Sequence, residues 1–126
     1  MSEEGWTNAL NWFEIPVSDL GRAARFYGEM LGVEMAPQDA FPDKPMSMFP
    51  VSAGIGGALV LADGHRPGQN GTIVYLNAQP DLQAALDRVE QAGGTVTMGK
   101  TSVTPFGFLA HFVDTEGNRV GLHSMG

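Results

Sequence analysis

The chain contains no cysteine, which excludes disulfides, thiol nucleophiles and thiolate-bound metals while saying little about compartment. No apolar run approaches the roughly 20 residues needed to cross a bilayer, and the first residues lack a basic segment leading into an apolar one. The expectation is a cytoplasmic protein with no membrane partner. Basic residues are scarce: seven Lys and Arg stand against 14 Asp and Glu, for a formal net charge of −7 and a pI near 4.7. That balance argues against nucleic acid and anionic membrane surfaces as partners. It serves solubility or, in a sharper reading, attracts cationic ligands. What is present is 126 residues of 43% hydrophobic composition, enough for one core and too short for two independent ones.

Within that length the chain repeats itself. Asn11–Val17 leads into a helical pattern from Ser18 to Leu31 and then Gly32–Met35; Ile73–Ala78 leads into Asp81–Ala92 and then Gly94–Met98. The endings match as well, Gly54–Val60 with Gly117–His123. Equivalent positions drift slowly, with Trp12 to Ile73 spanning 61 residues, Leu20 to Leu82 spanning 62 and Gly54 to Gly117 spanning 63. Two single-residue insertions account for it. The pattern is a duplicated βαβββ unit, module one at about 8–63, a linker at about 64–71 and module two at about 72–125. Neither half buries its sheet alone, so the two join around a shared surface where a ligand fits.

In the first module Leu20, Ala23, Ala24, Tyr27, Met30 and Leu31 recur at helical spacing, with Ser18 expected as N-cap and Gly32 as the closing glycine. In the second, Leu82, Ala85, Leu86, Val89 and Ala92 repeat the stripe as one helix between Pro80 and Gly93-Gly94. Short strands are expected near 33–37 and 46–51 in a proline-rich stretch. Residues 63–71, Asp-Gly-His-Arg-Pro-Gly-Gln-Asn-Gly, read as an exposed linker.

Strand alternation sorts side chains by face. Phe13, Ile15 and Val17 oppose Trp12, Glu14 and Pro16; Val74, Leu76 and Ala78 oppose Ile73, Tyr75 and Asn77. A hairpin pairing Asp114 with Arg119 sets Phe112 opposite Gly121 and Val113 opposite Val120, with Val113, Val120 and Leu122 toward the helices. The other face then carries Trp12, Glu14, Tyr75, Asn77, Arg119, Gly121 and His123, a mixture suited to a lined cleft.

Phe13-Glu-Ile-Pro-Val-Ser-Asp-Leu20, Ala24-Arg-Phe-Tyr27, Leu31-Gly32 and Asp114-Thr-Glu-Gly-Asn-Arg119 together resemble the vicinal oxygen chelate superfamily, also called the glyoxalase / bleomycin resistance protein / extradiol dioxygenase family. The resemblance covers about Asn11 to Ser124. It implies an α+β fold in which two tandem βαβββ modules curl into a cup-shaped mixed sheet with helices outside, and a homodimer. Catalytic relatives usually hold a divalent metal in the cup, on His, Gln or Glu at four equivalent strand positions. Those positions fall here on Trp12, Ala58, Ile73 and Gly121, none of which coordinates a metal. No metal ligand and no cofactor is therefore assigned.

A displaced site from Glu14, His123 and Asn77 is chemically conceivable but supplies only two strong ligands. Glu14 and His123 are the candidate catalytic pair, as a proton shuttle or as recognition groups, with simple solvation at the cup's mouth as the bland alternative. Trp12, Tyr75 and Phe112 are the expected flat contacts, and Asn77 and Arg119 the orienting ones. His111 is expected on the helix face as a packing histidine. His65 and Arg66 belong to a surface loop or, in a minority reading, a lid. Met35, Met46 and Met48 fill core gaps or line the pocket. Gly54-Ile-Gly-Gly57 lacks the strand-to-helix context and lysine of a phosphate loop. The leading expectation is a metal-independent small-molecule-binding protein; the other is a glyoxalase-like lyase or isomerase. A regulatory module whose cup is filled by a partner chain is a third.

Overall fold

The computed structural model describes residues 8–126. Module one contributes β1 (Trp12–Pro16), α1 (Leu20–Leu31), β2 (Ala36–Gln38), β3 (Met46–Met48) and β4 (Gly56–Val60). Module two contributes β5 (Tyr75–Asn77), two short helices α2 (Gln83–Leu86) and α3 (Val89–Ala92), then β6 (Thr95–Ser102), β7 (Phe108–Val113) and β8 (Arg119–Ser124). Each module forms a four-stranded sheet, in the orders β1-β4-β3-β2 and β5-β8-β7-β6. In both, the first strand runs parallel to the last and the remaining pairs are antiparallel. The duplicated βαβββ reading is thus the observed architecture.

One core lies between the helices and one face of both sheets. Ile15, Val17, Leu59, Leu76, Ala110, Phe112 and Leu122 come from strands, and Ala23, Phe26, Tyr27, Met30, Leu86 and Val89 from helices. The alternation in β1 is as expected, with Ile15 and Val17 buried and Trp12 exposed. Phe26 and Tyr27 pack edge-on at 4.9 Å between ring centroids, and both approach Phe112.

Three local expectations are corrected. Asp19, not Ser18, caps α1, its carboxylate accepting from Arg22 N at 3.0 Å; Ser18 N instead donates to Glu116. The second helical stripe is interrupted at Asp87 and Arg88, where Arg88 N bonds Ala85 O, a tighter turn than the α-helix makes. The stripe survives, since Leu82, Ala85, Leu86 and Val89 remain buried.

The third correction concerns the last hairpin. Val113, not Asp114, pairs with Arg119, and Asp114 faces Asn118. Gly117, at φ 88°, supplies the left-handed residue that closes a three-residue loop. The Asp114 carboxylate stabilises the turn by accepting from Glu116 N and Asn118 N at 2.8 Å each. This one-residue shift exchanges the faces of β7. Ala110 and Phe112 face the core, while His111 and Val113 face the other side.

The same hairpin fastens the modules together. Tyr27 Oη donates to Asp114 Oδ2 at 2.7 Å, and Asn118 Nδ2 donates to Pro16 O at 2.7 Å. Burial and the adjacent Asp114 carboxylate both push the Tyr27 hydroxyl well above its ordinary range. The Ser18-Asp19-Leu20 and Asp114–Asn118 segments, remote in sequence, therefore meet in space.

Candidate ligand-binding site

On the face of module one away from the core, Trp12 and Glu14 project from β1 beside Met46 and Met48 of β3. With Gln38, Phe41 and Lys44 they line an open cavity of about 380 Å³. Met46, Ala58 and Val60 form a second apolar cluster beneath it, with Met48 packed against them. Trp12 and Phe41 are 41% and 58% exposed, so a large flat apolar surface stands uncovered at the cavity wall.

Glu14 is the polar centre of this surface. Its carboxylate receives Lys44 Nζ at 2.9 Å, His65 Nε2 at 3.0 Å and Trp12 Nε1 at 3.3 Å. Burial opposes the charge, but the hydrogen bonds from His65, Lys44 and Trp12 outweigh it and hold the carboxyl below its ordinary range. His65 reaches Glu14 from the linker and so holds this stretch against β1, while His65 itself lines neither neighbouring cavity. Gly68 N, bonded to Asn118 Oδ1 at 2.9 Å, ties down the next turn. Beside Glu14 is a smaller cavity of about 130 Å³, lined by Arg66, Asn70 and Thr72 of this stretch and by Arg119.

Module two presents a different surface. Tyr75 pairs with Gly121, and its ring lies so close over that glycine that a Cβ would clash with it. The Tyr75 hydroxyl continues across β8 to His111 Nε2 at 2.7 Å. The absence of a side chain at Gly121 is what lets the ring cross the strand. His123, two pairs further along β8 beside Asn77, bonds Phe106 O at 2.6 Å.

The sequence-derived candidates therefore separate. Trp12 and Glu14 share a cavity, and Arg119 joins Glu14 in the adjoining one. Tyr75 is 41% exposed on the same face. Asn77 instead lines a cavity of about 350 Å³ on the core side of the module seam, among Phe13, Phe49, Leu76 and Ala85. Phe112 is fully buried against Phe26 and Tyr27 and offers no surface to a ligand, a consequence of the hairpin shift. Glu14 and His123 are not brought together: they lie on strands of different sheets and each is engaged elsewhere. Lys44 and Phe41 escaped sequence reasoning, because an irregular segment gives no periodicity from which to infer a face. His111 lies on the face opposite the one its alternation with Phe112 implies, because β8 pairs one residue earlier along β7 than expected, with Gly117 closing the loop.

The donor set does not fit the divalent metal that the resemblance implies. Trp12 and Ile73 offer no ligand atom, Ala58 is fully buried, and Gly121 has no side chain and is roofed by Tyr75. Among the described residues no group of three His, Asp or Glu converges.

A profile of the Glyoxalase/Bleomycin resistance protein/Dioxygenase superfamily matches residues 9–122. The chain belongs to this superfamily. Among solved superfamily structures, a glyoxalase/bleomycin resistance protein from Streptomyces sp. CB03234 is 31% identical, with 90% of this chain and 98% of that one covered at a TM-score of 0.66. TnmS3, an antibiotic binding protein from the same Streptomyces, is 27% identical over 97% of this chain and 100% of its own, at a TM-score of 0.69. A superfamily member from Sphaerobacter thermophilus DSM 20745 shares the fold at 22% identity, covering 93% and 97% at a TM-score of 0.69. No functionally curated protein matches the sequence. No described helix is long and apolar enough to cross a membrane.

Proposed function

We propose that this protein binds a small organic molecule on the outward face of module one, without a metal, and releases it unchanged. The observation that carries the reading is the cavity of about 380 Å³ in which exposed Trp12 and Phe41 and flexible Met46 and Met48 surround a fixed Glu14–Lys44 pair. Aromatic and methionine walls supply adaptable apolar contact, and a few polar groups set orientation. The likeness to an antibiotic binding protein supports binding rather than turnover, and the side chains at Trp12, Ala58, Ile73 and Gly121 support metal independence.

The test is calorimetric titration with flat aromatic probes after exhaustive chelation and again with added nickel, zinc or manganese, followed by mass spectrometry of the recovered probe. Equal affinity in both conditions and an intact probe are expected. Metal-dependent turnover of a small carbonyl compound would overturn the proposal.

The contact at 3.0 Å between Glu14 and His65 favours a second reading, a lyase- or isomerase-type proton transfer in which His65 takes the place expected of His123. On that reading Glu14→Gln abolishes turnover while substrate still binds. Turnover that survives both Glu14→Gln and His65→Ala removes it.

A further inference from the structure

The charges lining the site are opposite in sign to those of the chain as a whole. The protein carries a net charge of −7 with only seven Lys and Arg, yet three of those seven, Lys44, Arg66 and Arg119, line the two adjoining cavities. Among the described residues the only carboxylate lining them is Glu14, and it already receives Lys44 at 2.9 Å and His65 at 3.0 Å. Arg66 and Arg119 form no ion pair with any described residue. Asp114, close in sequence to Arg119, is occupied by Tyr27 and Asn118. Arg119 is partly buried, and its Nε is shielded from solvent with no hydrogen-bond partner. A guanidinium N–H shielded from water without an acceptor is costly, and an oxyanion bound across the same edge of the guanidinium is a partner that relieves that cost.

Resting on the binding function proposed above, we propose that the ligand is an aromatic acid. Its flat apolar body lies against Trp12 and Phe41, and its carboxylate meets Arg119 and Arg66 in the smaller cavity. Glu14 lines both cavities, and on this assignment one molecule reaches past it from the larger into the smaller. The site thereby selects for an anion, against the cationic preference that the whole-chain charge implied. Arg is suited to the role because its planar fork matches a carboxylate with two parallel hydrogen bonds.

Three probes of matched shape test this by calorimetry: naphthoate, naphthamide and naphthylmethylammonium. Naphthoate is expected to bind about tenfold more tightly than naphthamide, with the ammonium weakest, and its lead to shrink as salt is raised. Arg119→Gln brings the naphthoate-to-naphthamide ratio close to one. Arg66→Gln, at an exposed position unconnected with folding, reduces the same ratio in part. Equal affinities for all three, a preference for the ammonium, or a ratio untouched by both variants overturns the anion assignment and leaves small-molecule binding standing. Failure of all three probes to saturate in the millimolar range overturns both.

Discussion

Glu116 of module two accepts the backbone N–H groups of Ser18 and Asp19 in module one, at 2.8 and 2.9 Å. Its second oxygen takes Arg22 Nε at 2.8 Å and the Thr115 hydroxyl at 2.9 Å. A carboxylate from the second repeat thus serves the start of the first repeat's helix, where free N–H groups and the helix dipole favour negative charge. Burial alone would raise the carboxyl pKa, but Arg22, the two backbone donors and Thr115 bring it from 4.5 to about 2. A depressed folded-state value stabilises the fold above the unfolded value and is lost as pH falls. Stability should therefore decline from about pH 4.5 toward pH 2, by on the order of 1–3 kcal/mol from this group. Glu116→Gln should flatten that part of the profile in chemical denaturation across pH; an unchanged slope would refute the assignment.

Tyr27→Phe removes the donor to Asp114 without changing the ring packing against Phe26 and Phe112. A loss of about 1–3 kcal/mol is expected, since a buried carboxylate oxygen loses a partner. Urea denaturation measures it. A neutral result would mean that Asn118 and the backbone suffice for Asp114.

Phe112→Ala should cost about 3–5 kcal/mol through the cavity it leaves in the core. Trp12→Ala, at an exposed position, should change stability by less than about 0.5 kcal/mol. Their effects on probe binding should be the reverse: about tenfold weaker for Trp12→Ala, and little altered for Phe112→Ala under conditions where it remains folded. Paired melting curves and titrations separate the two.

Gly121→Ala places a Cβ where the Tyr75 ring lies and should expel the ring, breaking its bond to His111. The readout is the NMR chemical shift of the His111 ring at one fixed pH, which should differ from wild type in the variant and move in the same direction in Tyr75→Phe. Identical spectra of the ring in all three proteins would show that the hydroxyl contact is not made.

His65→Ala should release the linker from module one and raise the Glu14 pKa, because one of the hydrogen bonds holding the carboxyl down is gone. Faster amide hydrogen exchange across residues 63–68 in the variant checks the first effect, and carboxyl NMR titration the second. Unchanged exchange would mean that Gly68 and Asn118 hold the segment unaided.

Most of the architecture was legible because duplication supplies an internal control. A period of 61 to 63 residues identifies equivalent strands, and two-residue alternation in β1 assigns Ile15 and Val17 to the core without ambiguity. The site was less legible, for reasons that are local. One residue of error at a three-residue loop exchanges the faces of Phe112 and His111, since alternation converts a register error into a complete inversion. Phe41, Lys44 and His65 lie in irregular chain, where backbone direction depends on tertiary contacts that no sequence periodicity records.

The placement of Tyr75 across Gly121 has a consequence for counting. Two copies of a fold suggest two equivalent binding surfaces, yet one of them carries its own aromatic ring and spends its polar group on His111. Neither cavity of the candidate site is lined by Tyr75, His111 or His123. With the site as proposed, the duplication has diverged, with the apolar wall supplied by module one and Arg119 of module two beside it while Tyr75 is spent on His111, and titration should saturate at a single molecule per chain.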